Sequence, residues 1–155
     1  MADAADTILT FGRHKGERLA EVPDDYLAWL SAKAFSAEMR QAAAAVRELA
    51  KERARMEEAR SRILAQELLD DIADGLTGDA DDATYESLRD PRSHMSQWAW
   101  TGPRGAVAER VRRDVATKPG EYMFYEHMIP SLRRVEELPD GRVRAVVVKN
   151  NYAGD

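Results

Sequence analysis

The apolar positions of this 155-residue chain change pattern along its length. Ile8, Leu9 and Phe11 make a short apolar run that predicts a strand over residues 8–11. After Pro23-Asp24-Asp25, the residues Tyr26, Leu27, Trp29 and Leu30 recur at helical spacing. Pro suits a first helical turn and the acidic pair suits the positive end of the helix dipole, so a helix is expected here with these four residues packed back on the strand. Residues 1–6 are expected to fray.

From Ser36, an N-cap candidate, no Gly or Pro occurs until Gly75, and the Ala, Glu, Arg and Leu content predicts a single helix. At about 1.5 Å per residue, some 38 residues would reach about 57 Å. Met39, Ala42, Val46, Leu49, Met56 and Ile63 line one narrow stripe, with Arg53 and Arg60 standing where it wants apolar residues. Such a stripe has two readings: a face packed on the chain's own domain, or a coiled-coil seam with Met39, Val46, Leu49, Met56 and Ile63 at a homodimer interface. Beyond Ile63 the stripe broadens through Leu64, Leu68, Leu69, Ile72 and Leu76.

The glycine-punctuated acidic stretch after the helix reads as a solvated linker, and its aspartates do not fit the register of a calcium loop. Residues 84–89 suit a short helix ended by Asp90-Pro91. Residues 106–115 predict a helix with Val107, Val111 and Val115 on one side and Arg110, Arg112 and Arg113 around the other. After Lys118-Pro119-Gly120 the pattern turns strand-like: Tyr122, Phe124 and His127 alternate with Met123 and Tyr125. Leu132, Val135 and Leu138 follow, then Pro139-Asp140-Gly141 and a strong strand over residues 142–148. The expected class is α+β: an N-terminal strand, glycine loop and helix, a long central α-helix able to form a coiled coil, and a C-terminal helix with a small antiparallel sheet that residues 8–11 could join. Four segments follow: residues 1–35, the helix 36–76, an acidic linker 77–90, and a basic α+β segment 91–155.

Composition narrows the function classes. Apolar residues at 44% are enough for a modest core, and the lack of Cys excludes disulfides and thiol chemistry. With no signal-like start and no apolar run long enough to span a bilayer, a soluble cytoplasmic protein without a membrane partner is expected. A net charge of -5 argues against indiscriminate coating of DNA. Residues 91–155 nevertheless hold eleven Lys and Arg against eight Asp and Glu, so a local basic face is expected there.

No catalytic set emerges. His14, His94 and His127 share no ligand spacing, and Glu67, Asp70, Asp71 and Asp74, although close on a helix, lack the lysine of a nuclease-like set. No enzyme, metal or cofactor is expected. Gly12-Arg13-His14-Lys15-Gly16 is not a P-loop, yet its amides together with Arg13, Lys15 and Arg18 could hold a backbone phosphate; the alternative is a structural turn. Trp98 and Trp100 beside Arg104 could stack bases, or else plug the core. Their alternate spacing is read as placing the rings on opposite sides of an extended segment.

Phe11, Gly12, Lys15, Gly16, Leu19, Pro23, Tyr26, Leu27, Trp29 and Leu30 together carry a resemblance. Over residues 8–33 the chain resembles the small C-terminal domain of exodeoxyribonuclease X-like proteins. It also resembles related short bacterial and phage proteins called quorum-sensing-regulated virulence factors. In the nuclease, catalysis belongs to a separate acidic domain that has no counterpart here. The resemblance therefore implies nucleic-acid-related company and a structural role for Phe11, Gly12, Gly16, Tyr26 and Trp29.

Two expectations result. The first is a non-catalytic accessory protein, phage-derived, binding nucleic acid (DNA ahead of RNA) beside replication, recombination or nuclease machinery. Arg13, Lys15 and Arg18 would meet phosphate, with Trp98, Trp100 and Arg104 as a second contact. The other is an adaptor or inhibitor that dimerises or docks on a host protein through its long helix.

Overall fold

A continuous helix, α2 (Ala37–Ala73), follows a shorter one, α1 (Asp24–Lys33), as the Gly- and Pro-free run predicts. The computed structural model describes residues 3–90, 92–93, 95–116 and 130–150. The chain forms two compact units, Met1–Glu58 and Ala59–Asp155, and the division falls inside α2.

In the first unit, Leu9, Leu19, Leu27, Leu30, Ala34, Ala43 and Val46 form the core, with Phe11, Tyr26 and Met39 packed on it. The expected strand over residues 8–11 does not form. Ile8 makes one antiparallel bridge to Arg18, and the chain turns back at once: the Leu9 N–H donates to the Glu17 carbonyl at 2.9 Å and the Gly16 N–H to the Leu9 carbonyl at 2.7 Å. A turn closing this soon after Leu9 leaves no length for a ladder. Residues 4–6, expected to fray, make a 3-10 turn in which the Asp3 carboxylate accepts the Ala5 N–H. Where α1 gives way to α2, the Arg40 guanidinium donates to the Ala34 carbonyl at 2.6 Å, and the Ser36 hydroxyl accepts the Met39 N–H at 3.3 Å. Groups left open by two helix ends thereby find partners.

In the second unit, α2 ends at Gly75, whose φ of 73° lets the Leu76 N–H reach the Asp71 carbonyl and its own N–H reach Ile72. This left-handed close satisfies the last carbonyls. Four strands follow: β1 (Thr84–Ser87), β2 (Met95–Gly102), β3 (Ser131–Glu137) and β4 (Val143–Asn150), with α3 (Arg104–Val115) after β2. They form an antiparallel sheet in the order β1-β2-β4-β3, which does not include residues 8–11. Val135, Val143, Ala145 and Val147 of the sheet, Val107 and Val111 of α3 and Leu68 of α2 share its core. A bulge between Leu132 and Arg134 lets Leu132 and Val135, three apart, pair with Val147 and Ala145 and so face the same side. The fold is α+β, as expected.

Three local expectations are corrected. Residues 84–87 are an exposed edge strand and not a helix: Thr84 to Ser87 pair with Thr101 to Trp98, satisfying the free edge of β2, and Tyr85 lies edge-on to Trp100 at 5.2 Å. The acidic stretch is not a free linker. Ala80 is buried, its carbonyl accepts from Arg110 Nε at 2.8 Å, and the Gly78 N–H donates to the Gly105 carbonyl. Finally, Trp98 and Trp100 lie on one side of β2, since residues two apart on a strand share a face, and both indole N–H groups donate to Oδ2 of Asp114 at 2.6 Å. The strand pattern at Tyr122, Met123, Phe124, Tyr125 and His127 lies outside the described residues, as do Pro91 and His94.

On α3, hydrogen bonds from Arg112 and then Arg113 hold the Glu109 carboxyl at about 2, below its ordinary 4.5. A carboxyl whose value is depressed by folding stabilises above its unfolded value and loses that contribution as pH falls through the folded one. Stability should therefore decline between about pH 4.5 and pH 2 partly through Glu109. Urea melts of Glu109→Gln across this range should show a flatter acid limb than the parent protein; an identical limb would place the acid sensitivity elsewhere.

Candidate nucleic-acid interface

The glycine loop is built against α1. Gly12 and Gly16 adopt φ of 77° and 93°, in the left-handed region that glycine enters without a side-chain penalty. At Gly12 contact matters as well: a Cβ there would stand 2.1 Å from the Tyr26 hydroxyl oxygen. Around Gly16 nothing lies within 4 Å, so conformation alone selects it.

Part of the loop's backbone is used internally. The amides of Lys15, Gly16 and Glu17 donate to the carbonyls of Gly12, Leu9 and His14. Two of the five amides of Gly12–Gly16 are thus taken up by the turn itself, and the side chains carry the rest of the reading.

Those side chains are well presented. Arg13 and Lys15 are exposed and have no ion pair or hydrogen-bond partner among the described residues. Arg18 is also exposed, with Asp6 at 3.6 Å. Between these two cations, His14 turns inward: Nδ1 meets the Glu17 carboxylate at 3.1 Å, while Nε2 is buried without a partner among the described residues. Its ring meets Tyr26 edge-on at 4.8 Å, and Tyr26 stacks on Trp29 at 5.5 Å with planes 28° apart. Trp29 remains 49% exposed, which corrects the expectation that it packs back into the core. Leu27 and Leu30 take that role.

The other predicted contact is differently employed. Trp98 and Trp100 are half-buried on Asp114, and Arg110 lies over the Trp100 ring at 4.8 Å. Arg104 pairs with Asp71 and Glu67, two of the four carboxylates clustered near the end of α2. Among the described residues, no three His, Asp or Glu side chains come together to hold a metal ion. Most described arginines of the C-terminal third are likewise paired: Arg110 with Asp81, Arg112 and Arg113 with Glu109, Arg134 with Glu136, Arg142 with Asp140, and Arg144 with Glu86. The basic excess is thereby neutralised by acids within the same unit.

Along α2, Met39 is half-buried and Val46 buried in the first core, so neither is free for a seam. Leu49, Met56 and Ile63 are exposed, and residues 51–60 are exposed throughout. A groove of about 320 Å³, bounded by Phe11, Met39 and Ala42, has Glu38 as its single ionisable lining residue. No helix among the described residues is long and apolar enough to cross a membrane.

The loop, its aromatic ladder, α1 and the start of α2 form a small module within the first unit. Residues 1–51, about a third of the chain, match the sequence model of the family described as "Putative quorum-sensing-regulated virulence factor". That match takes in the whole loop, α1 and the buried start of α2, a longer stretch than the resemblance over residues 8–33. No curated protein and no solved structure matches the chain.

The packing of Gly12 makes a direct test. Gly12→Ala combines a left-handed backbone with overlap on the Tyr26 hydroxyl, and should destabilise by about 1–3 kcal/mol. Tyr26→Phe removes the overlapping oxygen, so the double variant should recover part of that loss in thermal melts, while Gly16→Ala should be indifferent to Tyr26→Phe. Strict additivity at Gly12 and Tyr26 would contradict the contact.

Proposed function

We propose that the protein is a non-catalytic accessory protein, phage-derived, that binds nucleic acid beside replication, recombination or nuclease machinery, with DNA as its partner ahead of RNA. The observation that carries this reading is the pair Arg13 and Lys15, exposed and unpaired among the described residues on a loop closed by hydrogen bonds of its own. An unpaired cation on a rigid support meets phosphate without first breaking an ion pair or ordering a loop. Arg18 completes the patch at lower strength, because Asp6 is near. Trp98, Trp100 and Arg104 drop out of the interface under this reading, since their polar groups already have partners.

Fluorescence anisotropy against labelled DNA and RNA across a salt series tests it. Every phosphate that a variant fails to neutralise reduces the slope of log affinity against log salt by about 0.7–0.9. Arg13→Ala/Lys15→Ala should weaken binding and flatten that slope by about 1.5 without shifting the thermal midpoint. Unchanged affinity in the double variant would remove the loop as the contact.

A second reading is favoured by one observation. Met56 and Ile63, exposed seven residues apart on α2, keep the spacing of a coiled-coil seam, and this supports an adaptor that dimerises or docks through the helix. Light scattering at rising concentration should then give twice the 17.4 kDa chain mass, reduced to one by Met56→Glu. A monomer at every concentration would end the dimer version.

A further inference from the structure

We infer that Trp29 is a base-stacking platform and that the strand recognised is single-stranded DNA; the inference rests on the nucleic-acid reading above. The ring is built for presentation. One face leans on Tyr26, which is itself held edge-on by His14, so the indole is fixed in place while half of the residue stays in solvent. A rigid exposed aromatic offers a base its π-face with little ordering cost, and base-on-aromatic stacking tolerates any sequence.

Charge supplies the occupant. His14, the loop residue that touches the ladder, is flanked in the chain by Arg13 and Lys15, both unpaired. On α1 itself, Lys33 stands one helical turn beyond Trp29, exposed and also without a partner among the described residues. Cations thus stand on the loop that touches the ladder and one turn further along α1, the charge that the phosphates beside a stacked base would meet. Two carboxylates in this part of the module are paired with a basic side chain, Glu17 with His14 and Asp24 with Arg47, while Asp25 accepts only the Tyr26 N–H and Glu21 is exposed.

Duplex DNA keeps its bases stacked on one another and cannot use the platform. RNA would add a 2′-hydroxyl, which a protein reads with a polar partner beside the base. Of the residues one turn from Trp29 (Asp25, Tyr26, Ala32 and Lys33), Asp25 gives only Oδ1 to the Tyr26 amide, so the choice of DNA ahead of RNA is carried over from the reading above and the oligo-rU arm of the test decides it.

The test uses the full chain with labelled oligo-dT, a duplex of equal length and oligo-rU, followed by anisotropy and by quenching of Trp emission. Trp29→Ala should lower oligo-dT affinity roughly 5- to 150-fold, the range expected for one stacked base, while leaving the salt slope and thermal midpoint in place. Trp29→Phe should restore most of the affinity, and oligo-dT should quench the parent protein but not Trp29→Ala. If Trp29→Ala binds oligo-dT as tightly as the parent while Arg13→Ala/Lys15→Ala binds weakly, the platform is overturned and the cation reading stands. Equal or tighter binding of duplex, or clear preference for oligo-rU, overturns the choice of single-stranded DNA. Absence of binding to all three probes at low salt overturns both readings together.

Discussion

A helix that is polar through its middle can be buried only at its ends, and this constraint organises the chain. α2 has 37 residues, and residues 51–60 are all exposed, because Lys51-Glu52-Arg53-Ala54-Arg55-Met56-Glu57-Glu58-Ala59-Arg60 contains too few apolar side chains to form a packing face. Burial is therefore confined to Ala43 and Val46 near one end and to Ser61 and Leu68 near the other. Each end serves a different core, and the division between units falls where the helix has nothing to bury. Ser61 shows how closely the second end is fitted: its buried hydroxyl accepts the Val135 N–H at 3.1 Å, supplying a partner for an edge strand's amide.

In the second unit, charge is organised inward. The basic excess of the C-terminal segment meets the acids of the helix end and of the acidic stretch, as Arg104 does with Asp71 and Arg110 with Asp81. Exposed pairs of this kind add little stability individually, but they leave few free cations for a polyanion. Asp114 plays a comparable part for the tryptophans. By accepting both indole N–H groups on one oxygen, it satisfies two donors that burial would otherwise strand, and it fixes both rings against the sheet.

The first unit is arranged the opposite way. Its loop closes on amides of Lys15 and Gly16 and leaves the Arg13 and Lys15 side chains exposed. The glycines make the turn, Tyr26 fills the space that a side chain at Gly12 would need, and the cations are raised into solvent by a backbone that cannot easily relax. Structure and candidate function are thus divided between neighbouring residues of one five-residue turn: Gly12, His14 and Gly16 hold it, while Arg13 and Lys15 face outward.

Local chemistry alone determined a good part of this protein. The helices were legible because Pro23, Ser36 and Gly75 mark their limits and no breaker interrupts the run between. So was the β3–β4 hairpin, from Pro139-Asp140-Gly141 between apolar runs, and the α+β class with it. The importance of the glycine loop could be read from its residue order. Pairing decided the rest. Residues 84–87 became a strand because β2 offered an open edge, a partner that Thr84 and Tyr85 suit but that four residues cannot reveal by themselves. Ile8 to Phe11 failed to become one because the turn closed too early. Which tryptophan would be exposed was equally hidden: indoles at 98 and 100 have a carboxylate brought from another element, while Trp29 leans on Tyr26. Long-range partners such as Asp114 for Trp98, or Asp71 for Arg104, leave no periodic trace in a chain, since a hydrogen bond or ion pair depends on distance in space and not on separation in sequence.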